Sequence, residues 1–255
     1  MYFNKFEKNK YSQFGEDGII EEILRRLNLK QLDNFWCCEF GAWDGKYASN
    51  TFALVEKGWN AIYIEGNPVS FLDLKKNSQI FTKIIPIQAM ISRNVDDKNS
   101  LDNILSNTKI PKDFELLSID IDSYDLDVWE NLQNYSPKIV IIEVDGTIPP
   151  GIILRHSNKI VGNSFTATVN VGKKKGYTPI CHTNNLFFIR NDLMNMINLD
   201  HRYIESPDLL FSDDHLTNGI FRPVDPFLWL TLIVPKFLFP IARKIKKFLV
   251  KKKLK

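Results

Sequence analysis

Three cysteines in 255 residues are too few for a disulfide framework, and none stands at the Cys/His spacing of a metal site. Cys37 and Cys38 are adjacent, so in a strand their side chains point to opposite faces. A reduced, cytosolic chain is expected. The N-terminus, residues 1–11, is polar and lacks an apolar signal-peptide core, which argues against secretion. The apolar run from Phe227 to Val234 falls short of the ~20 residues that span a bilayer, and Pro235 and Pro240 break the apolar stretch beyond it. There is no Gly-x-Gly-x-x-Gly dinucleotide fingerprint and no Gly-Lys-Ser/Thr of a P-loop. Internal repeats are also missing, and the one biased tract is the basic C-terminus.

What is present is an ordinary globular composition, 44% hydrophobic and 25% charged. The length suits one domain with elaborations. The net charge of +3 is unevenly placed. Residues 236–255 hold nine Lys/Arg and no acid, leaving 24 basic against 30 acidic residues in the body. An acidic body with a basic tail argues against a nucleic-acid partner. The expected division is a catalytic or binding domain over residues 1–222 and a basic amphipathic tail over 223–255.

Short apolar runs alternate with helical patterns. Strands are expected at residues 35–40, 61–64, 83–91, 115–119 and 138–142, the third weakened by Pro86. Helices are expected from about Asn50 to Lys57, from Pro68 to about Asn77, over 101–106 and after Asp125. An earlier helix carries Ile19, Ile20, Ile23, Leu24 and Leu27 on one stripe. Asn67-Pro68 has the chemistry of a helix start. Residues 164–175 read as a helix, followed by strands 177–182 and 186–190 around a Thr183-Asn184-Asn185 turn. Residues 191–222 give no clear pattern. Continuously apolar strands alternating with helices imply a mostly parallel α/β sheet covered on both faces. Ligands of such sheets sit at the carboxyl ends of the strands.

Those ends are polar. The first run closes as Glu39-Phe40-Gly41-Ala42-Trp43-Asp44-Gly45, where Gly41 allows a sharp turn. A helix starting near Asn50 would aim free N–H groups at the same crevice. Trp36, Trp43 and Trp59 read as packing residues. The second run ends in Glu65-Gly66, where an acid can accept bonds from both ribose hydroxyls and repel a 2′-phosphate. The two elements together point to an adenosine-type ligand.

The order of several motifs narrows this further. Residues 12–18 (Ser-Gln-Phe-Gly-Glu-Asp-Gly), 39–45, Ser49-Asn50-Thr51, residues 64–68 (Ile-Glu-Gly-Asn-Pro), residues 117–122 (Leu-Ser-Ile-Asp-Ile-Asp) and Ile142-Glu143 carry a likeness. Lys175-Gly176-Tyr177 and residues 185–188 extend it. Over roughly residues 11–195 the chain resembles the FkbM-like group of S-adenosylmethionine-dependent methyltransferases. The resemblance implies a Rossmann-like class I methyltransferase fold, seven strands with a C-terminal antiparallel hairpin. It implies cofactor contacts from Gln13, Glu39, Gly41, Gly45, Asn50, Glu65, Gly66, Gln88 and Asp120. Glu39 would lie near the methionine amino group, and Asp120 beside the sulfur. The family often has Asn or Asp where Gln88 stands.

Asp120, Asp122, Asp125, Glu143 and Asp145 crowd two adjacent strand ends and would repel one another in a dry cleft. One resolution is a Mg²⁺ or Mn²⁺ ion held by Asp120, Asp122, Glu143 and Asp145. The other is that Asp122 and Asp125 cap the next helix and only Asp120 and Glu143 line the site. His182 is read either as a general base with Asp120 and Glu143 or as a structural histidine; His156 and His215 have no supporting pattern. The segments 12–17 and 147–163 are candidate lids. The tail, with Phe237, Ile241, Ile245, Phe248 and Leu249 on one helical face, suits an anionic membrane surface through residues 227–255. The expected activity is O-methylation of a hydroxyl on a sugar, glycan or glycolipid precursor, in the cytoplasm or on the inner membrane face. The alternative is a non-catalytic, membrane-associated S-adenosylmethionine-binding module.

Overall fold

The computed structural model describes residues 3–29, 34–158 and 161–212. Its strands are β1 (Trp36–Phe40), β2 (Asn60–Glu65), β3 (Ile84–Gln88), β4 (Leu116–Ile119), β5 (Ile139–Glu143), β6 (Tyr177–His182) and β7 (Asn185–Arg190). They form one sheet in the order β3-β2-β1-β4-β5-β7-β6. The first five strands are parallel, and β7 runs antiparallel to both β5 and β6. This is the expected Rossmann-like class I methyltransferase sheet with its hairpin ending. The order reverses at β1, whose neighbours are β2 and β4, so the switch-point crevice opens between the ends of β1 and β4.

The helices are α1 (Glu16–Arg26), α2 (Phe52–Glu56), α3 (Pro68–Ile80), α4 (Leu101–Ser106), α5 (Asp125–Asn131), α6 (Phe165–Lys174), α7 (Met194–Ile197) and α8 (His201–Glu205). Because strand residues alternate between faces, the buried strands feed two cores. One gathers Ile19 and Ile20 of α1, Phe52 of α2, Trp59, Tyr63 and Phe187. The other gathers Phe114, Trp129 of α5, Phe165 of α6 and Phe188. Cys37 joins the first and Cys38 the second, as their adjacency requires. Both thiols and Cys181 are buried and unoxidised, and burial pushes all three up.

Trp129 packs against Phe188 and Tyr177 at ring-centre distances of 4.9 and 5.6 Å. Full burial of such a side chain is worth ~1.5–3 kcal/mol. Asn67 caps α3 as expected, accepting from the Val69 and Ser70 N–H groups at 2.8 and 3.4 Å.

Some boundaries differ from the sequence reading. β3 stops at Gln88, and Ser92 only bridges to Ser100. β3 is an edge strand, which is why Pro86 is tolerated inside it. The helix expected from Asn50 begins at Phe52, and α3 continues to Ile80. Residues 191–212 hold the short helices α7 and α8. The tail, and with it the division at residue 222 and the expected lipid contact, lies outside the described residues. No helix among the described residues is long and apolar enough to cross a membrane.

Gly172 of α6 lies so close to the sheet that a Cβ there would sit 2.3 Å from Phe188 Cε1. Gly172→Ala is therefore expected to lose ~1–3 kcal/mol by overpacking, despite the better helix propensity of alanine. Urea unfolding of Gly172→Ala, Phe188→Leu and the double variant checks this. The double variant should lose less than the two single changes together, and simple additivity would count against the contact.

Candidate functional site

The register of the sheet places the polar strand ends on one face. Glu39 pairs with Tyr63 and Ser118, Ser118 with Ile141, and Glu143 with Asn185. Paired residues share a face, and every second residue returns to it. Glu65, Glu39, Asp120, Glu143 and Asn185 thus form a row across the carboxyl edge, on the side covered by α1 and α2.

The turn after β1 is tied to both neighbouring strands. The N–H groups of Gly41 and Ala42 donate to Ile64 O at 3.1 and 3.2 Å. The Trp43 N–H donates to Glu65 Oε2 at 2.8 Å, and the Asn67 N–H to Glu65 Oε1 at 2.6 Å. Gly41, Trp43 and Gly45 all have positive φ. A Cβ on Gly41 would stand 1.6 Å from the Asp120 carbonyl oxygen. The glycine therefore makes room for the end of β4. Gly45 likewise turns against Leu74 and Tyr63, and Gly66 lies against Met90. Gln88 pairs with Glu65 at the exposed end of β3.

Two expected ligand contacts are used inside the protein. Glu39 is buried and accepts from Ser49 Oγ at 2.8 Å, the Asn50 and Thr51 N–H groups at 3.3 and 3.1 Å, and Thr51 Oγ1. Burial raises its pKa, and the Thr51 and Ser49 hydroxyls oppose that rise. The N–H groups expected to point into the crevice at Asn50 are thus spent on Glu39. The Asn50 side chain is buried too, donating to Ser118 Oγ at 3.1 Å. Glu39 and Asn50 brace the turn from beneath. A pairing of Glu39 with a methionine amino group would have to displace these bonds.

Asp120, Asp122 and Glu143 do converge: one carboxylate oxygen from each lies within 4.8 Å of the others. Asp145 does not join them; its Oδ1 accepts from the Thr147 N–H at 2.9 Å and from Thr147 Oγ1 at 2.5 Å. Asp125 is buried and closes the tight turn after β4, accepting from the Ile121 and Ser123 N–H groups at 2.7 and 2.8 Å. Asp122 sits on that turn with φ +55°. Among the described residues, no ion pair reaches Asp120, Asp122 or Glu143. Burial holds the Asp120 carboxyl well above the usual range, and Glu143, Asp125 and Asp122 add to the shift. Glu143 is raised by burial and by Asp122 and Asp125, and the Asn184 amide bond at 2.9 Å partly offsets this.

His182 is corrected from a general base to a core residue. Its ring is fully buried, lies 5.2 Å from Phe211 in a stacked pair and 5.3 Å from Phe165 edge-on, and its Nδ1 accepts from the Ser212 N–H. Trp43, read as packing, is instead 55% exposed, next to exposed Tyr47 at 5.4 Å.

Both candidate lids are fastened here. Asp17 Oδ2 collects the N–H groups of Lys10, Tyr11 and Ser12 at 2.7–2.8 Å. Buried Glu16 accepts from Phe14 N–H, Thr183 Oγ1 and Asn185 Nδ2, which ties the lead-in to the β6–β7 turn. The Gln13 side chain remains exposed. In the described part of the 147–163 segment, Arg155 pairs with Asp127 and Glu130 at 3.0 and 2.6 Å. The sequence reading missed Asn184, which it took as turn chemistry alone. Only the pairing of β7 with β5 brings it to Glu143.

No protein-family model matches the chain, and no curated protein does. Solved structures of similar architecture include a putative caffeoyl-CoA O-methyltransferase from Staphylococcus aureus, 15% identical, covering 68% of this chain and 81% of that one, with a TM-score of 0.41. Another is M. jannaschii TYW2 in complex with AdoMet, 15% identical over 72% and 79% of the two chains, TM-score 0.39. A third is a SAM dependent methyltransferase from Aquifex aeolicus, 9% identical over 74% and 97%, TM-score 0.42.

The acid cluster sets a pH dependence. A carboxyl raised in the folded state contributes stability at low pH that is lost as pH rises through its folded pKa. Asp122→Asn removes one of the repelling charges, and Asn accepts the positive φ. In chelator, thermal unfolding should show the variant gaining on the parent by ~1 kcal/mol at pH 8.5 and by less at pH 5. A constant difference across that range would contradict the uncompensated cluster.

Proposed function

We propose that the protein transfers a methyl group from S-adenosylmethionine to a hydroxyl acceptor. The supporting observation is the carboxyl edge itself. Glu65 is held by two backbone N–H groups beside the β1–β4 crevice. An ionised carboxylate offers about four acceptor positions, so two remain for a ribose diol. Further along the edge, Asp120, Asp122 and Glu143 create a negative field that favours a cation. S-adenosylmethionine carries a sulfonium and an ammonium, whereas a dinucleotide would bring a pyrophosphate into the same field. The residues present therefore fit this cofactor better than NAD. The FkbM-like motif order supports the same reading.

When bound, S-adenosylmethionine supplies a methyl already activated for transfer. The chain's own residues have three tasks: Glu65 holds the ribose, the turn at Gly41 and the end of β4 position the reacting end, and the fastened segments exclude water. One carboxylate of the Asp120–Glu143 pair, kept ionised by the positive charge of the bound methyl donor, accepts the single proton that the acceptor hydroxyl loses, and burial makes it a stronger base than a free carboxylate. As the C–O bond forms the C–S bond breaks, leaving a neutral thioether. The acceptor is read as a sugar, glycan or glycolipid precursor, with the basic tail bringing the enzyme to an anionic membrane surface.

A second reading concerns a metal. Asp120, Asp122 and Glu143 would hold Mg²⁺ or Mn²⁺ through oxygen ligands, and the ion would lower the pKa of an acceptor hydroxyl. Addition of either ion should raise the unfolding temperature of the parent and leave that of Asp122→Asn unchanged. Equal responses would remove the ion.

Calorimetry with S-adenosylmethionine and S-adenosylhomocysteine tests the cofactor. Glu65→Gln should weaken both at least about tenfold, ~1.4 kcal/mol, with the near-UV spectrum retained. Asp122→Asn should weaken the charged S-adenosylmethionine more than the neutral product. Absence of binding by the parent would end the proposal. Binding without transfer of an isotope-labelled methyl to any component of a cell extract would favour the non-catalytic module.

A further inference from the structure

Next to the acid cluster lies a group of the opposite character. Arg93, Tyr124 and His156 come from the segments that follow β3, β4 and β5, and they meet at one ring. The Arg93 guanidinium lies 4.2 Å above the centre of the Tyr124 ring. The His156 ring meets Tyr124 edge-on, at 4.5 Å between centres and 68° between planes. Tyr124 stands two residues beyond Asp122, on the turn that Asp125 closes. Tyr124 therefore borders the site built above, and Arg93 and His156 lie against its ring.

Each presents a donor. The nearest carboxylate to Arg93 is Asp127, 3.8 Å away, and that carboxylate is already engaged by Arg155 at 3.0 Å. The Arg93 side chain is 58% exposed. His156 Nδ1 accepts from the Gly162 N–H at 3.3 Å, which leaves the hydrogen of a neutral imidazole on Nε2. The Tyr124 hydroxyl completes the set. A guanidinium stacked on an aromatic face is fixed in orientation and retains its paired N–H donors, the geometry that takes phosphate or carboxylate oxygens.

We propose that Arg93, Tyr124 and His156 form a subsite for an oxyanion, a phosphate or carboxylate, borne by the methyl acceptor. The acceptor would then be bipolar across the carboxyl edge, with its reacting hydroxyl at Asp120 and Glu143 and its anionic group at Arg93. This rests on the methyltransferase reading and adds to it a charge requirement on the acceptor.

The test uses the full chain saturated with S-adenosylhomocysteine, in chelator and at fixed ionic strength. Inorganic phosphate probes the anion subsite alone, glucose 1-phosphate an anion carried on a sugar, and glucose is the uncharged control. Both anions should bind more tightly than glucose. Arg93→Ala should weaken both by at least about fivefold, and Arg93→Lys by less, since lysine keeps the charge and loses the fork. Arg93→Ala removes only an exposed side chain, and its carbonyl can still accept from Asn131 Nδ2. Affinity for S-adenosylhomocysteine should be unchanged in that variant. The subsite is overturned if neither anion binds the parent, or if Arg93→Ala binds both as well as the parent does. Failure of S-adenosylhomocysteine itself to bind would instead strike the cofactor reading, so the two failures are distinguishable.

Discussion

The architecture of the site depends on one close approach. At the switch point of the sheet, the turn after β1 meets the end of β4 so tightly that a single carbon on Gly41 would overlap the Asp120 carbonyl. This contact sets the other positions. The turn leans toward β2, where the Trp43 N–H reaches Glu65. Asp120 is fixed at the opposite wall. Glu39 and Asn50 lie beneath, turning the Ser49–Thr51 segment back under the crevice. Glu65 at the end of β2 and Asp120 at the end of β4 are thus both tied to the one turn after β1.

The second constraint is electrostatic. A folded protein seldom leaves converging carboxylates without cations, because desolvation and mutual repulsion both oppose it. Among the described residues, no ion pair reaches Asp120, Asp122 or Glu143, while nearby Asp125, Asp145 and Asp127 have backbone, hydroxyl or arginine partners. The imbalance is local. Raised pKa values at functional sites commonly arise from this combination of burial and like charge. A cationic cofactor, a divalent ion or a shared proton would each relieve it. The Arg93–Tyr124 stack stands on the turn two residues beyond Asp122.

The fold was legible because it is written in local patterns. Apolar runs located the first five strands, the Asn67-Pro68 cap located α3, and the Thr183-Asn185 turn located the hairpin that supplies the last two. Errors fell where tertiary contacts override local preference. The helix expected at Asn50 starts two residues later because Glu39 takes its first N–H groups. His182 looked like a base from its place at a strand end, but residues nearly thirty positions away bury its ring.

Sequence by itself determined which residues would reach the carboxyl edge, since strand periodicity and the acids after each apolar run are properties of neighbouring positions. It could not determine which of those acids would face one another, which would be consumed as caps and braces, or which distant arginine would lie against Tyr124. Those outcomes depend on strand order and register, which set the ends of β4 and β5 side by side and bring Asp120 to Glu143. A carboxylate becomes a ligand, a base or a brace according to the donors that reach it; Asp125 and Asp145 find theirs within four residues, whereas Glu65 and Glu143 also take Trp43 and Asn184, which only the fold brings to them.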